Sequence, residues 1–272
     1  MAGLVRGVAR VLALSSSAQR FAQLREAGVV PLAGNLDRPA TLARLAGLAN
    51  RVVYLAPPPS EGWQDPRATA LLRALRLRSV PSQLVYASTS GVYGDCAGEW
   101  VRETRSLGAT TARAQRRVAA EARARFFGRS AGVPTQILRI PGIYAADREG
   151  GTPQARLEKG TPVLRAEDDV YTNHIHADDL ARACLAAMWR GRPQRAYNVS
   201  DDSEMKMGDY FDWAADHYGL PRPPRVARDA AQGQLPVMLL SFMSESRRLD
   251  NTRMKRELRL RLRYPTVREG LR

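Results

Sequence analysis

Tyr86-Ala-Ser-Thr-Ser-Gly-Val-Tyr-Gly-Asp95 ties an apolar run, Gln83-Leu-Val-Tyr-Ala87, to a turn of small hydroxyl residues and glycine. That is the signature of a buried strand ending at its carboxyl edge, where open α/β sheets hold their ligands. Upstream, Val8 to Leu14, Val29 to Ala33 and Arg51 to Leu55 read as strands, the last halted by Pro57-Pro58-Pro59. Helical patterns separate them. One opens at Ser17, carries Phe21 and Leu24 on one face and ends at Gly28; a short one covers Pro39 to Leu45; a third carries Leu71, Leu72 and Leu75. Downstream, a long arginine-bearing helix over about Thr111 to Phe127 precedes a strand over Pro134 to Ile140. Short apolar strands alternating with helices predict an α/β fold, a Rossmann-like doubly wound parallel sheet.

Beyond Gly142 the pattern loosens into what reads as a smaller C-terminal lobe. Tyr171 to Ile175 is strand-like, Asp178 opens a helix to Trp189, and Arg195 to Val199 is another strand. Met207 to Tyr218 is an amphipathic helix, and the tail holds a short helix near Asn251 to Leu258 and an alternating Arg259-Leu-Arg-Leu-Arg263. The expected division is residues 1–145 as the dinucleotide-binding part and residues 146–272 as the substrate lobe, with Tyr171–Ser200 returning to the sheet.

Composition narrows the function classes. Apolar residues make up 44% and charged residues 25% of 272, which supports a packed core and argues against disorder. The longest apolar stretch, Leu235 to Met243, is far short of the ~20 residues of a membrane span. The N-terminal apolar run is too short for a secretory signal, so a cytoplasmic chain is expected. Cys96 and Cys184 form no CxxC and predict neither zinc nor disulfides. The net charge of +15 rests on arginine, because lysine occurs only at Lys159, Lys206 and Lys255. Such a ratio reflects a GC-rich coding bias as readily as polyanion binding, and the basic tail has no aromatic interleaving for stacking bases. A nucleic-acid partner is therefore not expected.

With the alternating sheet, the 86–95 stretch resembles the extended short-chain dehydrogenase/reductases, the NAD-dependent epimerase/dehydratase group. Further segments match in order: Gly34-Asn-Leu-Asp37, Leu55-Ala-Pro57, Leu138-Arg-Ile-Pro-Gly-Ile-Tyr144, Asn173-His-Ile-His-Ala-Asp-Asp-Leu-Ala-Arg182 and Tyr197-Asn-Val-Ser200. The resemblance implies NAD(P), a small carbonyl or nucleotide-sugar substrate, and in related members a homodimer paired through the long helix. It implies cofactor contacts from Ser15, Ser16 and Arg20 after the first strand read here, from Asn35 and Leu36, from Leu55, Ala56 and Pro57, and from Ser88, Pro141 and Gly142. With Arg20 close by and no carboxylate at Ser15-Ser16-Ser17, NADP is favoured over NAD.

Two departures stand out. A GxGxxG loop should follow the family's first strand and cradle the pyrophosphate. Ala2-Gly-Leu-Val-Arg-Gly7 instead resembles the end of the first helix, which implies that an inner strand and its loop, roughly 15–20 residues, are not in this sequence. The second departure is the dyad. Counting back from Glu121 puts Arg113 in the slot of the catalytic tyrosine and Arg117 in that of its lysine. Arg117 is suited to ribose or phosphate. Arg113 cannot shuttle protons, since a guanidinium stays charged. Thr89 keeps the hydroxyl that polarises a substrate oxygen, and Tyr93 and Tyr144 are the nearby phenols that stand as substitutes.

Rival readings start from the same residues. The chain reads either as an NAD(P)-dependent oxidoreductase or epimerase/dehydratase with an atypical site, or as a non-catalytic NAD(P)-binding sensor that has lost the dyad. No GxSxG elbow surrounds Ser88-Thr89-Ser90, against a serine hydrolase. His174, His176 and Asp178 lack a further convergent ligand, so no metal is expected; Asp178 or Asp179 is read as the cap of the following helix.

Overall fold

The computed structural model describes residues 10–148, 150–233 and 235–271. The fold is α/β and Rossmann-like. Its centre is a parallel quartet: β3 (Arg51–Tyr54), β4 (Gln83–Thr89), β5 (Thr135–Ile140) and β8 (Arg195–Asn198), in the order β8-β5-β4-β3. Between β5 and β8 in sequence lie β6 (Gly142–Tyr144) and β7 (His174–His176), which pair in parallel with each other. Within the quartet Tyr54 lies opposite Tyr86, Thr89 opposite Ile140, and Asn198 opposite Arg139, so the strands finish at one edge.

The quartet reads as apolar because both of its faces are covered. Leu84, Tyr86 and Ile137 point to one side, against Leu71, Leu72 and Leu75 around α2 (Pro66–Ala74) and Ala120, Ala124 and Phe127 of α3 (Ala112–Ala131). Val85, Ala87, Leu138 and Ile140 point to the other, against Ala183, Cys184 and Ala187 of α4 (Ala177–Arg190) and Met254 and Leu258 of the tail. The period-2 split along β4 sends alternate residues to opposite cores. A separate cluster is built from residues 144 to 271, including Leu157, Val163, Phe211 of α5 (Met207–Tyr218) and Val267.

Among the described residues β1 (Leu12–Ser15) and β2 (Val30–Ala33), joined through α1 (Phe21–Glu26), pair only with each other and no ladder joins β1 to β3, so the sheet is a pair and a quartet. Part of the expected first strand, Val8 and Ala9, lies outside the described residues. Pro39–Leu45 is a 3-10 helix, a short turn whose backbone carries the chain from the pair to the quartet. In the alternating Arg259–Arg263 segment Leu260 is buried, and the Arg263 and Tyr264 amides donate to Asp179.

Candidate functional site

The carboxyl edge of the quartet collects the side chains of the 86–95 stretch. Ser88 is buried and donates to Glu121 Oε1 at 2.7 Å, and Ser90 is buried as well. Thr89 is half-buried, and its hydroxyl accepts from the Gly91 amide, opening the 3-10 turn Ser90–Tyr93. Of the three hydroxyl residues, Thr89 alone is not fully buried.

Tyr93 faces inward. At 2% exposure its hydroxyl donates to Asn198 Oδ1 at 2.7 Å and accepts from Arg139 Nη1 at 2.9 Å. Burial pushes its phenol up to about 12, with Arg139 opposing. Tyr144 donates to the Thr266 carbonyl and is also raised by burial. Both phenols are committed to interior partners.

Arg139 is the residue that the sequence reading does not point to, although a lone arginine inside the apolar run Ile137-Leu-Arg-Ile140 was a signal. Its Nε and Nη2 meet the two carboxylate oxygens of Glu121 at 3.1 and 2.9 Å, and both residues are almost fully buried. Its Nη1 also reaches the Glu103 carbonyl, while the Glu103 carboxylate accepts the Asn198 amide and pairs with Arg253. This seam fixes Ser88 and Tyr93 on either side of Thr89.

α3 brings its arginines to the same edge. Its cap is Thr111, whose hydroxyl accepts from the Ala114 amide. Arg117 donates to the Ala87 carbonyl at 2.8 Å and the Tyr86 hydroxyl at 3.2 Å. Arg116 turns to the Gly62 carbonyl. Arg113 lies over the ring of Phe242, in α6 (Val237–Met243), with 4.3 Å between the guanidinium carbon and the ring centroid. Arg117 is thus held at the end of β4 that carries Thr89, Arg113 lies against Phe242 instead, and Tyr93 is turned into the interior.

A concavity of about 620 Å³ opens beyond β1 and β2. Ser15, Ser16 and Asn35 line it, with Phe21, which the sequence reading places only on a helix face, and with Arg38, Thr41 and Arg44, which it does not single out because they are dispersed along the chain. Thr41 accepts the Asn35 amide at 2.9 Å and closes the turn after β2. Arg20 and Leu36 lie outside this lining; Leu36 packs toward the α2–α3 core, as does Ala56. Asp37, the acid of that turn, is bound by both arms of Arg67, which holds its carboxyl below the usual range. Leu55 and Pro57 are exposed just past β3, and Gly142 is exposed just past β5 after half-buried Pro141.

The histidines serve the fold. His176 Nδ1 accepts the Asp178 amide and caps α4, which corrects the expectation of an aspartate cap. Asp179 is buried, holds the tail by accepting the Arg263 and Tyr264 amides, and pairs with Arg182 of its own helix. His174 is buried, and desolvation pulls it down to about 4. Among the described residues no group of three or more His, Cys, Asp and Glu side chains is placed to hold a metal.

Asp201, just past β8, is buried, and desolvation lifts its carboxyl to about 7 against the opposing Ser203 hydrogen bonds. A folded-state value raised above the unfolded one adds stability at low pH that is lost as pH rises from about 4 to about 7. His174 runs the other way, losing stability as pH falls from about 6.5 to about 4. Between those values the two slopes offset. Asp201→Asn removes one limb, so urea unfolding of the variant should show a steeper loss below about pH 6.5 than the parent. Parallel curves for the two proteins would refute the assignment.

The sequence model of the NAD dependent epimerase/dehydratase family matches residues 6–200. Comparison with curated proteins returns no significant match. Among solved structures, a functionally unknown conserved protein from Silicibacter pomeroyi is 32% identical, with 96% of this chain and 88% of that one covered and a TM-score of 0.80. The dTDP-glucose 4,6-dehydratase DesIV from Streptomyces venezuelae, solved with NAD bound, is 20% identical over 96% and 85% of the chains, TM-score 0.78. RMD from Pseudomonas aeruginosa, complexed with NADPH, is 17% identical over 97% of each, TM-score 0.75. The last two share the fold. No helix among the described residues is long and apolar enough to cross a membrane. The family match runs from ahead of β1 through the whole quartet and past the Thr89 edge, and the chain belongs to the NAD dependent epimerase/dehydratase family.

Proposed function

We propose that the protein binds NAD(P) along the carboxyl ends of β1 to β5 and acts, as an oxidoreductase or epimerase/dehydratase, on a small carbonyl or nucleotide-sugar substrate between Thr89 and the C-terminal lobe. The observation that carries this is the half-buried Thr89 at the carboxyl end of β4, where Arg117 of α3 is held on the Ala87 carbonyl, together with the 620 Å³ concavity beyond β1 and β2. That concavity suits the adenosine end of the cofactor: Ser15, Ser16 and Asn35 offer hydrogen bonds, and Arg38 and Arg44 offer charge. No carboxylate among the described residues lines it, and Asp37 is tied to Arg67, which favours a 2′-phosphate and hence NADP.

When bound, the cofactor supplies hydride chemistry. The chain's own part is orientation. Thr89 donates to a substrate carbonyl or hydroxyl oxygen, Arg117 is within reach of a ribose or phosphate, and Leu55, Pro57, Pro141 and Gly142 form the rim. Residues 1–145 serve the cofactor and residues 146–272 the substrate.

Calorimetric titration with NADPH and NADH tests the reading. Micromolar affinity with NADPH the tighter is expected, and no binding of either would refute it. A second reading, a sensor that binds NAD(P) without consuming it, is favoured by the arginine in the tyrosine slot, because no group at Arg113 exchanges a proton. Binding without turnover across a panel of aldehydes, ketones and nucleotide sugars would select it.

A further inference from the structure

Between α2, α3 and the 3-10 turn Pro39–Leu45 lies a cleft of about 480 Å³, within the size range of small-molecule sites. It is separate from the 620 Å³ concavity: of the described residues, only Ala43 lines both. Much of its wall is apolar and made of small side chains. Ala70, Ala74 and Leu77 follow one another at helical spacing along α2 and just past its end, and Pro39 and Ala43 belong to the turn.

The polar groups of the cleft are of two opposite kinds. Arg73 of α2 and Arg123 of α3 come from different helices to line it; both are exposed, and neither side chain has a hydrogen bond, ion pair or ring partner among the described residues. Nearby arginines are engaged: Arg67 holds both oxygens of Asp37, and Arg76 lies against Phe126 and Phe127. The one acid among the described lining residues is Asp65, the cap of α2. Its Oδ1 accepts the Ala68 amide at 3.0 Å, whereas its Oδ2 has no partner among the described residues, in a side chain whose residue is only 2% exposed. A buried carboxylate oxygen without a donor costs free energy until one reaches it. Asp65 and Arg73 stand eight positions apart, about 12 Å along the helix axis, and helical side chains lean toward the N-terminus and shorten that gap. Two to three residues of extended chain span about 7–10 Å.

We propose that this cleft is a second ligand site, and that it takes an elongated zwitterion of short-peptide length. The ammonium end donates to Asp65 Oδ2, the carboxylate end lies on Arg73 and Arg123, and the body runs over Ala70 and Ala74. The order of charges selects the class. A plain anion leaves the Asp65 oxygen without a donor and adds a like charge beside it; a plain cation meets two arginines. A single α-amino acid is too short to reach both ends. The arginine forks match the two oxygens of a carboxylate, and no other acid among the described lining residues competes for them. Nothing in this asks for NAD(P) or Thr89, so the site stands or falls apart from the cofactor reading.

The test is calorimetric titration of the full chain with trialanine, N-acetyl-trialanine and trialanine amide, the last two each lacking one terminal charge. The parent is expected to bind trialanine with Kd of ~1 mM or tighter, and each blocked form about tenfold more weakly. Asp65→Asn, which keeps a good helix cap, should erase the difference between trialanine and its acetylated form while preserving the difference from the amide. The double variant Arg73→Gln with Arg123→Gln should do the reverse. Arg129→Gln, exposed near the far end of α3, controls for general charge and should stay within about twofold of the parent. No binding of trialanine to the parent, equal binding of the three compounds, or a discrimination that survives in its matching variant overturns the proposal. If Asp65→Asn fails to fold, the blocked peptides on the parent and the arginine pair decide it. Trialanine affinity that falls as the protein concentration rises would show a second copy of the chain filling the cleft, and overturns it as well.

Discussion

Arg139→Met is expected to cost about 3–5 kcal/mol of folding free energy, measured by urea unfolding. The residue sits in the middle of the sheet at 2% exposure, and its guanidinium binds both oxygens of Glu121, the Tyr93 hydroxyl and the Glu103 carbonyl. The loss comes chiefly from what is left behind. Glu121, at 1% exposure, would keep only the Ser88 hydroxyl and a 3.6 Å approach from Arg125. A buried carboxylate stripped of its main partner is penalised far more than the intact pair is rewarded. Replacing both members, as Arg139→Met with Glu121→Leu, should therefore recover much of the loss, and that recovery distinguishes a stranded charge from simple misfit. A cost under about 1 kcal/mol for Arg139→Met would show that the seam is not under this electrostatic load. The consequence reaches the site, because Ser88 and Tyr93 flank Thr89 and both hang on the pair; any ligand binding at Thr89 should weaken in the single variant and return in the double.

What the sequence disclosed depended on whether the signal was local. The strands of the quartet are apolar on both faces, so Gln83–Ala87 and Pro134–Ile140 read as strands without tertiary help, and Met207–Tyr218 matched its helix because one amphipathic face ends at Gly219. Thr89 was legible because it follows a buried strand at the ligand edge of the sheet. Arg139 was not, because its worth lies in Glu121, eighteen residues earlier and on another element. Phe242 over Arg113, and Thr41 and Arg44 beside Ser15, are likewise joined only by the fold. Where a local pattern misled, another group won the same backbone atom: His176 took the amide that an aspartate cap would have held.

Gly94→Ala should be nearly as damaging, at about 4 kcal/mol, because strain and collision add. Gly94 adopts φ 69° and ψ −158°, a region nearly closed to residues with a Cβ. A Cβ there would also lie 2.1 Å from the Gly108 carbonyl oxygen, and backbone cannot rotate out of the way as a side chain can. Gly108 is itself pinned, its amide donating to the Val92 carbonyl at 3.1 Å. Relief would have to push the 108–111 segment, and with it the start of α3 that carries Arg113, or break the bond from Arg247 to the Gly94 carbonyl. Gly98→Ala is the comparison that isolates the cause. It too has positive φ, at 77°, but its Cβ would meet the Tyr171 ring at 3.1 Å, a side chain that is free to yield. About 1–2 kcal/mol is expected for Gly98→Ala. If urea unfolding gave the two variants the same loss, backbone collision would not be what this turn avoids. A larger loss for Gly94→Ala would mean that the glycine of the turn lets the 91–94 turn and the 108–111 segment that leads into α3 approach backbone to backbone.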